Sequence, residues 1–173
     1  MNKILALVAL LATASLSLKA QDADAEYARD MFKAGERLPS VAIPDLAGGD
    51  CSLAEFRGKY VVLDFWATWC PDCREEMPAM KELYGKYASD RIVFVGVSFD
   101  TDRRKLEAYL VQNEIKWLQL SDFQHKRDSA LAEKYKIRWI PAIYLVDPEG
   151  RVVLSTVMTE KLAAELSRIA PKQ

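Results

Sequence analysis

Residues 60–66 read Tyr-Val-Val-Leu-Asp-Phe-Trp, an almost unbroken run of β-branched, aliphatic and aromatic side chains. A strand that is apolar on both faces needs cover on both sides, so this run demands the interior of a helix-covered sheet. It carries one charged residue, Asp64. Cys70-Pro71-Asp72-Cys73 follows and opens a helical pattern. Pro71 suits the first helical position, and Met77, Met80, Leu83, Tyr84 and Tyr87 recur at helical spacing, with Pro78 predicting a kink.

The rest of the chain repeats this alternation. Ile92–Val97 is a second buried strand, and Thr101 is placed to cap a helix running to about Asn113. Trp117–Leu120 is a short strand, and Asp128 is placed to cap a helix through Tyr135. Ala142–Val146, the turn Asp147-Pro148-Glu149-Gly150 and Val152–Thr156 read as an antiparallel pair. Thr159 is placed to cap a last helix with Leu162, Leu166 and Ile169 inward. The order predicts an α/β domain, a central sheet flanked by helices that ends in an antiparallel pair.

Ahead of the first strong strand, Leu38–Pro44 alternates around prolines and suits an edge strand. Gly48-Gly49-Asp50 is a turn signal, and Ser52–Phe56 begins one helical turn before Gly58 ends it. Residues 21–37 are polar with a few apolar side chains, a linker with a short helix. Residues 1–20 have the layout of a secretory signal peptide: Lys3, an uncharged apolar run from Ile4 to Leu18, then small Ala20. An uncleaved N-terminal anchor is the alternative, although the run is short for a span. The domain proper is then 38–170. A formal net charge of −1 gives no reason to expect nucleic acid as a partner.

Three cysteines, Cys51, Cys70 and Cys73, are too few for a disulfide framework. Cys70 falls where a buried strand turns into a helix. Free N–H groups and the helix dipole there favour an anion and lower a thiol pKa from about 8.5 towards 3.5–7.5. Cys73, one turn on, is placed to close a disulfide with it. A static structural disulfide, half of a zinc site and a decayed motif are the competing readings. The zinc reading is weakened by a single histidine, His125, and the lack of a second Cys-x-x-Cys. Cys51 reads as a spectator, or as a thiol that resolves a mixed disulfide or links subunits.

The segment from Val62 through Trp69-Cys70-Pro71-Asp72-Cys73 resembles the active-site segment of the thioredoxin superfamily. Arg74-Glu75-Glu76-Met77-Pro78, Arg138-Trp139-Ile140-Pro141-Ala142 and Tyr144–Gly150 resemble its exported TlpA/ResA-like branch. The resemblance spans roughly Leu38 to Ile169. It implies a thioredoxin fold, a central mixed sheet flanked by helices with an N-terminal extension. A central strand–helix insertion, about Phe99 to Tyr135, belongs to the same pattern. It implies an exported, periplasmic thiol–disulfide oxidoreductase that reduces or isomerises protein disulfides without a cofactor. Partners on this reading are disulfide-containing exported proteins, such as apocytochromes c, and a membrane-linked electron donor.

Residue by residue, the resemblance makes Cys70 the solvent-facing nucleophile and Cys73 the buried resolving thiol. It makes Asp64 a buried acid beneath Cys73, poised as proton acceptor, and Glu76 a second acid on the helix. Plain solvated charges are the alternatives for both. Ile140-Pro141 matches a cis-proline loop packed against the cysteines, whose backbone can pair with an extended substrate. Trp69 is expected beside the active site or as plain core. Two residues depart from the pattern: Trp139 stands where a small residue is usual, and Ala142 where Thr is frequent.

Asp72 between the cysteines opposes the helix dipole at Cys70 by like charge, which predicts a reducing pair. Two rivals remain. A thiol peroxidase of the same fold needs a Pro and a Thr or Ser ahead of its cysteine, where this chain has Leu63 and Ala67. A metal carrier would use Cys70 and Cys73 as ligands.

Overall fold

The computed structural model of the protein describes residues 23–170, so the expected leader at 1–20 lies outside the described residues. Among the described residues, a helical stretch at residues 23–27 is followed by seven strands and four α-helices. The strands are β1 (Ile43–Pro44), β2 (Asp50–Cys51), β3 (Tyr60–Trp66), β4 (Ile92–Ser98), β5 (Leu118–Leu120), β6 (Ala142–Val146) and β7 (Val152–Thr156). The helices are α1 (Pro71–Tyr87), α2 (Arg103–Gln112), α3 (Ala130–Lys134) and α4 (Thr159–Ile169).

The main sheet has the order β5-β4-β3-β6-β7. β3 pairs in parallel with β4 and antiparallel with β6, so the sheet is mixed and its most apolar strand lies at the centre. From Val61 to Trp66 every residue of β3 is buried, as the two-faced apolar run requires. Its side chains alternate between the two faces. On one, Phe65 packs against Phe99, Tyr135 and Tyr144. On the other, Asp64 and Trp66 face Met77 and Met80 of α1.

Gln119 reaches across from β5 to accept the indole N–H of Trp66 at 3.0 Å. That reach is open because position 96 of β4 is glycine, where any Cβ would collide with the Gln119 amide. The buried Tyr144 hydroxyl donates to the Tyr135 carbonyl at 2.7 Å and accepts the Phe32 N–H at 3.1 Å, so neither end is left unpaired.

The lead differs from the sequence reading. Only Ile43–Pro44 of the expected 38–44 strand is extended in a ladder, paired with β2 in a separate two-stranded sheet. Pro39 has no N–H to give to a ladder, which disfavours pairing over the earlier part of the run. Leu53–Phe56 is a 3-10 turn closed by a reciprocal capping box between Ser52 and Glu55.

The segment that reads as a linker is docked. Ala28 and Met31 are buried in the core. Asp24 accepts from the Thr156 hydroxyl and the Val157 N–H, each at 2.9 Å, and pairs with Lys161.

Three helix caps lie one residue from the expected ones: Asp102 rather than Thr101, Ser129 rather than Asp128, and Met158 rather than Thr159. Asp102 and Ser129 accept N–H groups of their own first turns. Thr159 is the first helical residue and spends its hydroxyl elsewhere.

Candidate active site

Cys70 is the N-cap of α1 in an extended conformation, and Pro71 occupies the first helical position. The Cys70 sulfur accepts the Cys73 N–H at 3.2 Å, a free donor of the first turn. The two cysteines form a disulfide with Cα atoms 5.3 Å apart. The Ile140 carbonyl oxygen lies 3.5 Å from the Cys70 sulfur, and the Ile140–Pro141 peptide bond is cis. The elements therefore bring together Cys70, Cys73, Ile140 and Pro141, residues up to 71 positions apart in the chain.

The sequence reading has Cys70 facing solvent. In the disulfide its residue is only 4 % exposed and that of Cys73 2 %. Bonding to the inner cysteine and the carbonyl of the Ile140–Pro141 loop together cover the sulfur. Trp69 is 44 % exposed. It lies flat on His125 with ring centroids 4.9 Å apart, and its N–H donates to the Phe99 carbonyl at 3.3 Å. Trp69 is a surface residue of the site, not core.

Behind the disulfide, Asp64, Cys73, Glu76, Pro141 and Thr159 line a cavity of about 10 Å³, at the lower limit for a single water. Asp64 is 4 % exposed, and its Oδ1 has no hydrogen-bond partner. Burial, with the Glu76 carboxylate adding to it, pushes the Asp64 carboxyl up to about 7. Glu76 accepts the Thr159 N–H at 3.0 Å and the Thr159 hydroxyl. It is a tethered side chain, not a free helix charge. The site thus offers an anion-favouring sulfur position, a second sulfur in bonding reach and a carboxyl able to exchange a proton near neutrality.

Cys51 is buried in β2. Burial first, then the nearby Glu55 and Asp45 carboxylates, push its thiol up to about 11. At neutral pH only ~1 in 10,000 of such thiols is ionised, which makes Cys51 a poor nucleophile.

Residues 34–155 match the AhpC/TSA family. The chain belongs to that family. Relatives of this family member include a thiol-disulfide oxidoreductase ResA of Bacillus cereus, 28 % identical over 146 residues, 83 % of this chain and 82 % of the relative. The ResA of Bacillus anthracis is 29 % identical with the same coverage. Among solved structures, a thiol-disulfide oxidoreductase from Bacteroides fragilis NCTC 9343 superposes with a TM-score of 0.73 at 28 % identity, covering 78 % of this chain and all of that one. The thioredoxin domain of a thiol-disulfide oxidoreductase from Bacteroides vulgatus gives 0.71 at 30 % identity, covering 79 % and 97 %. The AhpC/TSA member is thus a thioredoxin-fold enzyme, a thiol–disulfide oxidoreductase of ResA type with its disulfide at Cys70 and Cys73.

Two residues of this family member's site escape the sequence reading. Asp100 is buried and accepts from the Thr68 N–H at 2.9 Å, the Thr68 hydroxyl at 2.5 Å and the Ser98 hydroxyl at 2.7 Å. It clamps the turn that carries Trp69 and Cys70. A polar residue just past a buried parallel strand is the available signal, because clefts of such sheets open at their carboxyl ends. His125 reaches Trp69 from the loop before α3, and nothing local in the sequence marks that contact.

Proposed function

We propose that the chain is an exported enzyme that reduces or isomerises disulfides of other exported proteins. The observation that supports this best is the Cys70 sulfur at the mouth of α1, accepting the Cys73 N–H beside the Ile140 carbonyl. In the reduced pair, Cys70 as thiolate attacks one sulfur of a substrate disulfide. A Cys70–substrate bond forms, the substrate bond breaks, and one substrate thiolate leaves. Cys73 then gives its proton to Asp64, whose carboxyl near 7 suits that exchange. The Cys73 thiolate attacks the Cys70 sulfur and displaces the second substrate thiolate. Two electrons have passed to the substrate, and the pair is left as the disulfide.

Backbone pairing of an extended substrate at Ile140, beside Pro141 and Trp69, holds its disulfide in line with Cys70. Glu76, fixed by Thr159, sets the charge beside Asp64. A membrane-linked dithiol donor re-reduces the pair, and apocytochromes c are the clients this reading favours. Periplasmic location rests on the signal-like pattern of residues 1–20, cleaved or retained as an anchor. The peroxidase alternative has Leu63 and Ala67 where its Pro and Thr or Ser would stand. The metal-carrier alternative would use Cys70 and Cys73 as a two-thiolate site for a soft cation, and stoichiometric metal in the purified reduced protein would favour it.

The exposed Asp72 adds a negative charge to the first turn of α1, between the two cysteines, so the reduced form gains less than in a strong oxidase. Equilibration with glutathione is expected to give a potential in the reducing range, nearer to about −270 mV than to −120 mV. A value above about −150 mV would contradict the reductase reading.

A further inference from the structure

Among the described residues three large hydrophobic side chains are exposed: Trp69, Val111 and Trp139. Two of them flank the disulfide. Trp69 precedes Cys70, and Trp139 precedes Ile140, whose carbonyl lies 3.5 Å from the Cys70 sulfur. Trp139 is 43 % exposed, yet one face of its indole is taken. Tyr27 stacks on it with centroids 4.6 Å apart and planes 30° apart.

Tyr27 lies in the helical stretch at residues 23–27, and that stretch is tied to the rest of the fold. Asp24, three residues earlier, binds the Thr156 hydroxyl, the Val157 N–H and Lys161, and Ala28 is buried just beyond. Beside the stack runs an open groove of about 470 Å³, lined by Glu26, Tyr27, Arg29, Asp30, Arg138 and Trp139.

We propose that Tyr27 is a positioning residue for Trp139, and that the free indole face selects substrates by an aromatic or large aliphatic side chain within two residues of the reacting cysteine. The inference rests on the oxidoreductase reading above and names the substrate class of that site. The spacing follows from the chain path. Trp139 is one residue from Ile140, and an extended peptide advances about 3.3 Å per residue. A peptide whose cysteine meets Cys70 beside Ile140 therefore carries its next side chains past Trp139. An indole free to swing loses rotamer entropy on binding, whereas one already stacked on Tyr27 presents its face at lower cost. The N-terminal segment thereby becomes part of the substrate site.

The test uses the full folded chain and two disulfide-linked peptides that differ only two residues either side of the cysteine, with Trp in one and Ala in the other. The wild type is expected to show about a fivefold lower KM for the Trp peptide, the size of one aromatic contact. Tyr27→Ala and Trp139→Ala bring the KM ratio to near one, and Tyr27→Phe, which keeps the ring, restores the wild-type ratio. A wild type that reduces both peptides with equal KM overturns the proposal alone, as does Tyr27→Ala retaining the full ratio. A folded wild type that reduces neither peptide overturns the oxidoreductase reading beneath it.

Discussion

Cys70→Ser abolishes reduction of insulin disulfides, a fall of at least about a thousandfold, because a serine hydroxyl is not ionised at neutral pH and does not attack sulfur. Cys73→Ser has a different outcome. Its Cys70 still attacks, but no second sulfur displaces the substrate, so the variant accumulates as a mixed disulfide visible as a mass increase. The distinction follows from the geometry, in which Cys70 caps α1 and Cys73 lies one turn deeper. Cys51→Ser turns over like wild type, since the Cys51 thiol is buried and pushed up to about 11. Equal activity in Cys70→Ser and wild type would leave the mechanism without its nucleophile.

Asp64→Asn moves stability and activity in opposite directions. The carboxyl is pushed up from 3.8 to about 7, first by burial and then by Glu76. The native state therefore holds the proton more tightly than the unfolded chain. Below about pH 4 both states are protonated and the shift contributes nothing. As pH rises from there towards 7 the unfolded chain ionises first, and native stability falls. Above about 7 the full penalty applies, on the order of 4 kcal/mol.

The neutral amide escapes this penalty. Denaturant unfolding is expected to show Asp64→Asn near wild type at pH 4 and more stable by several kcal/mol at pH 8. Turnover falls on the order of a hundredfold, because Cys73 loses its proton acceptor in the resolving step. An ionisable group retained in the core against stability is the mark of a functional site. Were the variant both less active and less stable at pH 8, Asp64 would be a structural residue.

The parts of the fold that can be read from sequence are those fixed by local chemistry. β3 and β6 begin and end where their apolar runs do, and α1 starts at Pro71 because proline fits the first turn. The helix caps are harder to place. Thr101 and Asp102, or Asp128 and Ser129, are chemically equivalent neighbours, and tertiary contacts choose between them. Thr159 shows the reason most clearly: its hydroxyl serves Glu76, 83 residues away, rather than its own helix.

The site divides in the same way. Cys70, Cys73 and Pro141 announce themselves by spacing and by residue type. The clamp from Asp100 to Thr68, the His125 ring under Trp69 and the Tyr27 ring on Trp139 arise from long-range packing. No periodicity or motif encodes such contacts. The docked 23–37 segment escapes a sequence reading for a similar reason, since Asp24, Ala28 and Met31 look like a polar linker until their partners are known.

The whole mechanism stands on the mouth of α1 holding the Cys70 sulfur as a stabilised anion. Alkylation of the reduced protein, followed cysteine by cysteine across pH, measures this directly. Cys70 is predicted to react fastest, with half-maximal rate between about pH 3.5 and 7.5, well below the ~8.5 of a free thiol. A Cys70 that reacts only above about pH 8.5, or no faster than Cys73, would refute it.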